Sequence, residues 1–176
     1  KPIDPLDDSF IQQLIKGSEQ SQKESTTTDL HKQIIDEARK RNIEPSHALA
    51  IVEQESGFNP YIGKSNKGAA GLTQITEQTA ASRGLDYNRL NNDSTYSIQS
   101  GLDYLAELKK NNNGDISEAL QSYYGRGANQ AAGGASNYVN EVMARVPRMQ
   151  QIVDNNPVVP PAPSIMDKIG SAMIAN

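Results

Sequence analysis

The stretch Ala48-Leu-Ala-Ile-Val-Glu-Gln-Glu-Ser-Gly-Phe-Asn-Pro60 carries the most fold information per residue in this 176-residue chain. Ala48, Leu49, Ile51 and Val52 form the apolar side of a helix that starts at Pro45 and Ser46 and stops at Gly57. Glu55 follows Val52 by three positions and Ile51 by four, so on that helix it abuts the apolar face. Glu53 points elsewhere and is expected in solvent. A carboxyl at the lip of a core, beside a glycine-rich loop, is partly desolvated. Desolvation raises a carboxyl pKa toward the range a general acid needs. From its position alone, Glu55 reads more readily as a capping or ion-pairing residue than as a catalyst.

Outward from this helix, residues 29–153 read as helix after helix. Asp29 can cap one whose Leu30, Ile34 and Ala38 share a face, with Arg39, Lys40 and Arg41 at its C-terminal end. Residues 57–72 are rich in glycine and are expected to be loop. A helix is expected from about Thr76 to Arg83, a long one from Ser94 with Ile98, Leu102 and Leu105 on one face, and a short one from Asp115. Ser136 is expected to cap the last helix, with Val139, Val142, Val146, Met149 and Val153 along it. Pro147 should kink that helix or end it near Arg145.

The ends differ in texture. Residues 1–28 are expected to hold a helix starting near Asp4 and Pro5, with Leu6, Phe10, Ile11, Leu14 and Ile15 as its apolar face. A polar linker, Gly17 to Thr28, follows. Residues 154–176 read as a proline-rich spacer and a marginal amphipathic helix over 164–174 that docks on an assembly partner or frays. The chain starts without Met and without a visible leader, as a processed form or an excised piece would. The fold class is therefore mostly α, with flexible appendages at both ends.

Composition narrows the function. Net charge is −4 with no basic stripe, which argues against nucleic acid as the partner. No apolar run is long enough to span a membrane. Without cysteine there are no thiolate ligands or nucleophiles. His31 and His47 lack the HExxH spacing, so no metal or other cofactor is expected, and each histidine is expected at the surface. Ser56 has no GxSxG setting.

Two further segments carry candidate chemistry. In Gly68-Ala-Ala-Gly-Leu-Thr-Gln-Ile75, small residues permit close backbone approach to a ligand, and Gln74 offers a donor and an acceptor suited to sugar hydroxyls and acetamido groups. A tight packing turn would read the same way. In Ser122-Tyr-Tyr-Gly125, tyrosines beside a flexible loop can stack on sugars, or simply fill a core.

Taken in order, Glu55-Ser-Gly-Phe58, Ser65-x-x-Gly-Ala-x-Gly-Leu-x-Gln-Ile75, Ala119-Leu-x-Ser-Tyr123 and Asn137-Tyr-Val-x-x-Val142 resemble the soluble lytic transglycosylase domain over about residues 29–153. The resemblance implies a lysozyme-like helical fold that cuts the bond between N-acetylmuramic acid and N-acetylglucosamine in peptidoglycan. It implies Glu55 as the catalytic glutamate and Ser65, Gln74, Tyr123 and Tyr138 as substrate contacts. Thr73 and Tyr124 stand where the family usually has Met and Asn, and both are expected to affect substrate fit. Asp86, Asp93 and Asp103 match no motif, so one glutamate is expected to serve as both acid and base, closing a 1,6-anhydro ring. The setting implied is the bacterial cell envelope (periplasm), reached by secretion or in a phage particle. The rival readings are a muramidase on the same fold and a weakly active glycan-binding module of a secretion machine or phage particle.

Overall fold

In the computed structural model, residues 8–66, 68–125 and 134–157 are described. Among them are seven helices and one two-stranded sheet: α1 (Asp8–Lys40), α2 (Pro45–Ser56), β1 (Ala69–Ala70), β2 (Ile75–Thr76), α3 (Glu77–Ser82), α4 (Tyr87–Asn92), α5 (Ser94–Asn111), α6 (Ile116–Gly125) and α7 (Gly134–Asp154). The mostly helical class follows directly.

Helix α2 is the central element. Its residues Ala48, Leu49, Ala50, Ile51 and Val52 are all buried. It packs most extensively along α7 and then against the second half of α1. Gly57 ends it in the left-handed conformation at φ 59°, with its N–H on the Glu53 carbonyl, a geometry that glycine adopts without a Cβ penalty. Ile34, Ile35, Ile98, Leu102, Leu105, Leu120 and Met149 join it in one core. A smaller cluster of Ala70, Ile75, Ala80 and Leu90 sits under the hairpin.

The glycine-rich segment is not plain loop. Ala69 pairs with Thr76 and Ala70 with Ile75 in an antiparallel hairpin. Its turn, Gly71 to Gln74, is clamped against α4 and α5. A Cβ on Gly71 would lie 2.0 Å from the Leu90 carbonyl oxygen, and one on Gly101 of α5 would lie 2.4 Å from the Thr73 side chain. The Thr73 hydroxyl donates to the Ser97 carbonyl at 3.0 Å. Thr73 thus points into the hairpin–α5 seam and is 1% exposed.

Further expectations need correction. Residues 17–28 are not a linker: α1 runs unbroken through them. They contain no proline and only Gly17, and extending a helix whose second half is docked costs far less than nucleating one. Ser136 lies inside α7, which starts at Gly134 among the described residues, and Pro147 does not end the helix, since α7 runs to Asp154. Losing one helical hydrogen bond at an exposed proline is outweighed by burying Met149 and Val153 beyond it. His31 and His47 are half-buried, and burial lowers the pKa of both; His31 packs edge-on to Phe58 with ring centres 4.5 Å apart. The readings made for Leu6 and for residues 158–174 fall outside the described residues.

Two glycine substitutions should separate in sign. Gly17 has open space around its missing Cβ, so Gly17→Ala should stabilise α1 by about 0.5–1 kcal/mol. Gly101→Ala overpacks the Thr73 seam and should destabilise by about 1–3 kcal/mol. Urea unfolding of the two variants beside the parent checks both directions.

Candidate active site

The αL stop at Gly57 leaves Glu55 in the last turn of α2. Its neighbours Val52 and Ser56 are buried, and the Ser56 hydroxyl is turned back onto the Val52 carbonyl at 2.9 Å. Glu55 keeps a partial opening to solvent while its carboxyl is largely enclosed. Across from it, α7 presents Tyr138, 6% exposed, whose hydroxyl donates to Glu55 Oε1 at 2.5 Å. Desolvation pushes the Glu55 pKa up to about 7, and the Tyr138 hydrogen bond, which favours the charged form, opposes that rise. No other charged group among the described residues contributes to this shift. Tyr138 is itself held well above its ordinary value, first by burial and then by the Glu55 charge.

The two tyrosines of α6 divide. Tyr123 donates its hydroxyl to the Thr73 carbonyl at 2.7 Å and rests against Tyr104 with ring centres 5.2 Å apart. Burial, and then the charge of Glu55, raises its pKa well above the usual phenol value. Tyr124 stacks on Tyr138 with ring centres 4.9 Å apart and 27° between planes. Tyr124, Tyr138 and Glu55 therefore form one continuous contact chain, and Tyr123 joins it to the hairpin.

The hairpin residues are set by local bonds. Gln74 takes φ 47°, uncommon for a side chain with a Cβ, and its amide donates to the Gly71 carbonyl at 2.9 Å. Ser65 is exposed, and its hydroxyl accepts from the Ala69 N–H at 3.0 Å. Both bonds stay within the hairpin and the segment that leads into it.

The expectation for Glu53 is corrected. It points away from Glu55, but its side chain is only 19% exposed, paired with Arg145 at 3.4 Å and with Arg148 of α7. Beside it, Gln54 donates to Glu141 of the same helix at 2.7 Å. Charged partners more than ninety positions away in sequence give no local signal. The three aspartates weighed as a second carboxylate are engaged elsewhere: Asp86 caps α4, Asp93 caps α5 and pairs with Arg89, and Asp103 pairs with Arg41 at 2.6 Å. Among the described residues no group of three or more His, Asp or Glu could hold a metal ion, and no helix is long and apolar enough to cross a membrane.

A helical body with a small hairpin and one enclosed carboxyl at their junction is a lysozyme-like domain. Residues 32–143 match the transglycosylase SLT domain, and the chain belongs to that family, whose members act on peptidoglycan.

The raised Glu55 pKa has a stability consequence independent of catalysis. Between its ordinary value of 4.5 and about 7, the folded protein holds a proton that the unfolded chain has released. Stability therefore falls as pH rises through that window, by up to about 3 kcal/mol. Glu55→Gln removes this loss. In urea unfolding the variant should gain on the parent from about pH 4.5 to about 7 and level off above that; a difference that is constant across the whole window would contradict the enclosed carboxyl.

Proposed function

We propose that this chain is a lytic transglycosylase that cleaves the β-1,4 bond between N-acetylmuramic acid and N-acetylglucosamine, with Glu55 as its single acid/base. The observation that carries this is an enclosed carboxyl with a pKa near 7 and one hydroxyl partner, in a chain of a peptidoglycan-acting family. Tyr138 occupies Oε1, so the proton of neutral Glu55 belongs on Oε2. That oxygen donates to the glycosidic oxygen as the bond breaks. The ionised carboxylate then takes the proton of the muramic 6-hydroxyl, whose oxygen attacks the anomeric carbon and closes the 1,6-anhydro ring. An internal hydroxyl has the advantage of proximity over water. The N-acetyl group of the substrate stabilises the developing positive charge. Asp86, Asp93 and Asp103 are engaged in caps and ion pairs, which supports a mechanism without a second carboxylate. Tyr123, Tyr124, Gln74 and Ser65 are assigned to shaping the groove for the glycan, in the bacterial envelope where that polymer lies.

Two experiments test the reading. On purified sacculi, Glu55→Gln should keep its fold and lose at least ~100-fold in rate. The parent's products should be lighter by one water than the products of hydrolysis; full-mass products would assign a muramidase instead.

The Tyr138 bond predicts a direction in pH. Neutral Glu55 is the active acid, so the rate should decline on the alkaline side of about pH 7. Tyr138→Phe removes the bond that favours the carboxylate. Its alkaline limb should move to higher pH while turnover falls, because the carboxyl is no longer oriented. A limb that stays in place, or moves down, contradicts the role given to Tyr138.

A further inference from the structure

A second groove, of about 630 Å³, lies between the middle of α1, the loop after α2 and the junction of α4 with α5. None of its lining residues is Glu55, Ser65, Gln74 or a tyrosine of α6 or α7. Its walls include Asp29 and Gln33 of α1, Tyr61 of the loop, Asn91 and Asn92 of α4, and Ser94 of α5. Leu30, only 8% exposed, gives an apolar patch to the floor.

Two observations distinguish this groove from a packing crevice. Tyr61 is 89% exposed although it is a large aromatic, and its backbone is held in place by its N–H on Asn59 Oδ1 at 3.0 Å. A ring presented this way offers a flat apolar face beside the groove. Asn91 also lines the groove, and its Oδ1 is buried without a hydrogen-bond partner among the described residues. The lining carries one acid and no cationic side chain, which disfavours phosphate and other anions. Side-chain amides, a hydroxyl and an exposed aromatic ring are the recognition chemistry of a neutral sugar: the ring stacks on the C–H face of a pyranose, and amides exchange hydrogen bonds with hydroxyls and an acetamido group.

We propose that this groove is a second glycan-binding site, which holds an uncharged N-acetylglucosamine residue of peptidoglycan apart from the bond being cut. It rests on the peptidoglycan reading of Glu55 and adds to it. Tyr61 lies in the loop leaving the helix that carries Glu55, so chain retention and chemistry sit on adjoining segments. Its effect is to keep the enzyme on the polymer between cuts.

The test uses the full chain. Retention on purified sacculi is measured by co-sedimentation in a Glu55→Gln background, where cleavage does not erode the substrate. Adding Tyr61→Ala should weaken retention roughly two- to tenfold, the size of one aromatic contact, while Tyr61→Phe preserves it. Asn92→Ala in the same lining should weaken it in the same direction. In the active parent background, Tyr61→Ala should raise the apparent KM on sacculi and leave kcat on a soluble tetrasaccharide unchanged. Unchanged retention in both alanine variants overturns the second site. An equal loss of kcat on the tetrasaccharide also overturns it, because Tyr61 would then belong to the cleft of Glu55. Should Glu55→Gln itself remain active, the catalytic reading fails instead, and the retention measurements still decide the groove.

Discussion

The hydrogen bond from Tyr138 to Glu55 joins α7 to α2, and the arrangement of the rest depends on it. A carboxyl surrounded by protein must either keep its proton or find a donor. Here it does both within one geometry: enclosure raises the pKa, and the phenol fixes one oxygen. That geometry requires α7 to lie along α2 in a defined register. Buried Val142, Met149 and Val153 supply the adhesion, while Glu53 with Arg145 and Arg148, and Gln54 with Glu141, fix the register at the surface edge. The raised pKa of Glu55 is therefore a property of helix packing as much as of the residue itself.

The hairpin is positioned by exclusion. Gly71 and Gly101 remove the two Cβ atoms that would hold it off α4 and α5, and Thr73 fills the space left on α5. Tyr123 then bonds to the Thr73 carbonyl, so α6 is tied to the same turn. In this way three separate segments of sequence converge around one carboxyl with few long-range polar contacts.

How much of this the sequence disclosed follows from the range of each interaction. Helix α2, its glycine stop and the position of Glu55 on the apolar side were legible, because helical spacing and burial coincide there. The hairpin was not, since each strand has two residues, too few for alternation to register. The Glu53 pairing and the Tyr123 bond to Thr73 depend on distant partners. Local signals misled twice. The polar run 17–28 looks like a linker by composition, and Pro147 looks like a stop, but neither local cost exceeds what the neighbouring docked turns contribute. The proximity of Tyr138 to Glu55 came only with the family resemblance, because nothing in the spacing of the two residues relates them.

Helix α1 is 33 residues long, about 50 Å at the usual rise, and only its second half is docked in the core. As continuous helix, the first half is a stiff extension of the docked half, so its bearing and its rotational phase are mechanically coupled to the helical body. Removing one residue from it would turn whatever it carries by about 100° around the rod axis, whereas removing seven would nearly restore the phase and shorten the reach by about 10 Å. A random-coil tether of the same length would transmit neither quantity. The polar segment thus sets an angle as well as a distance.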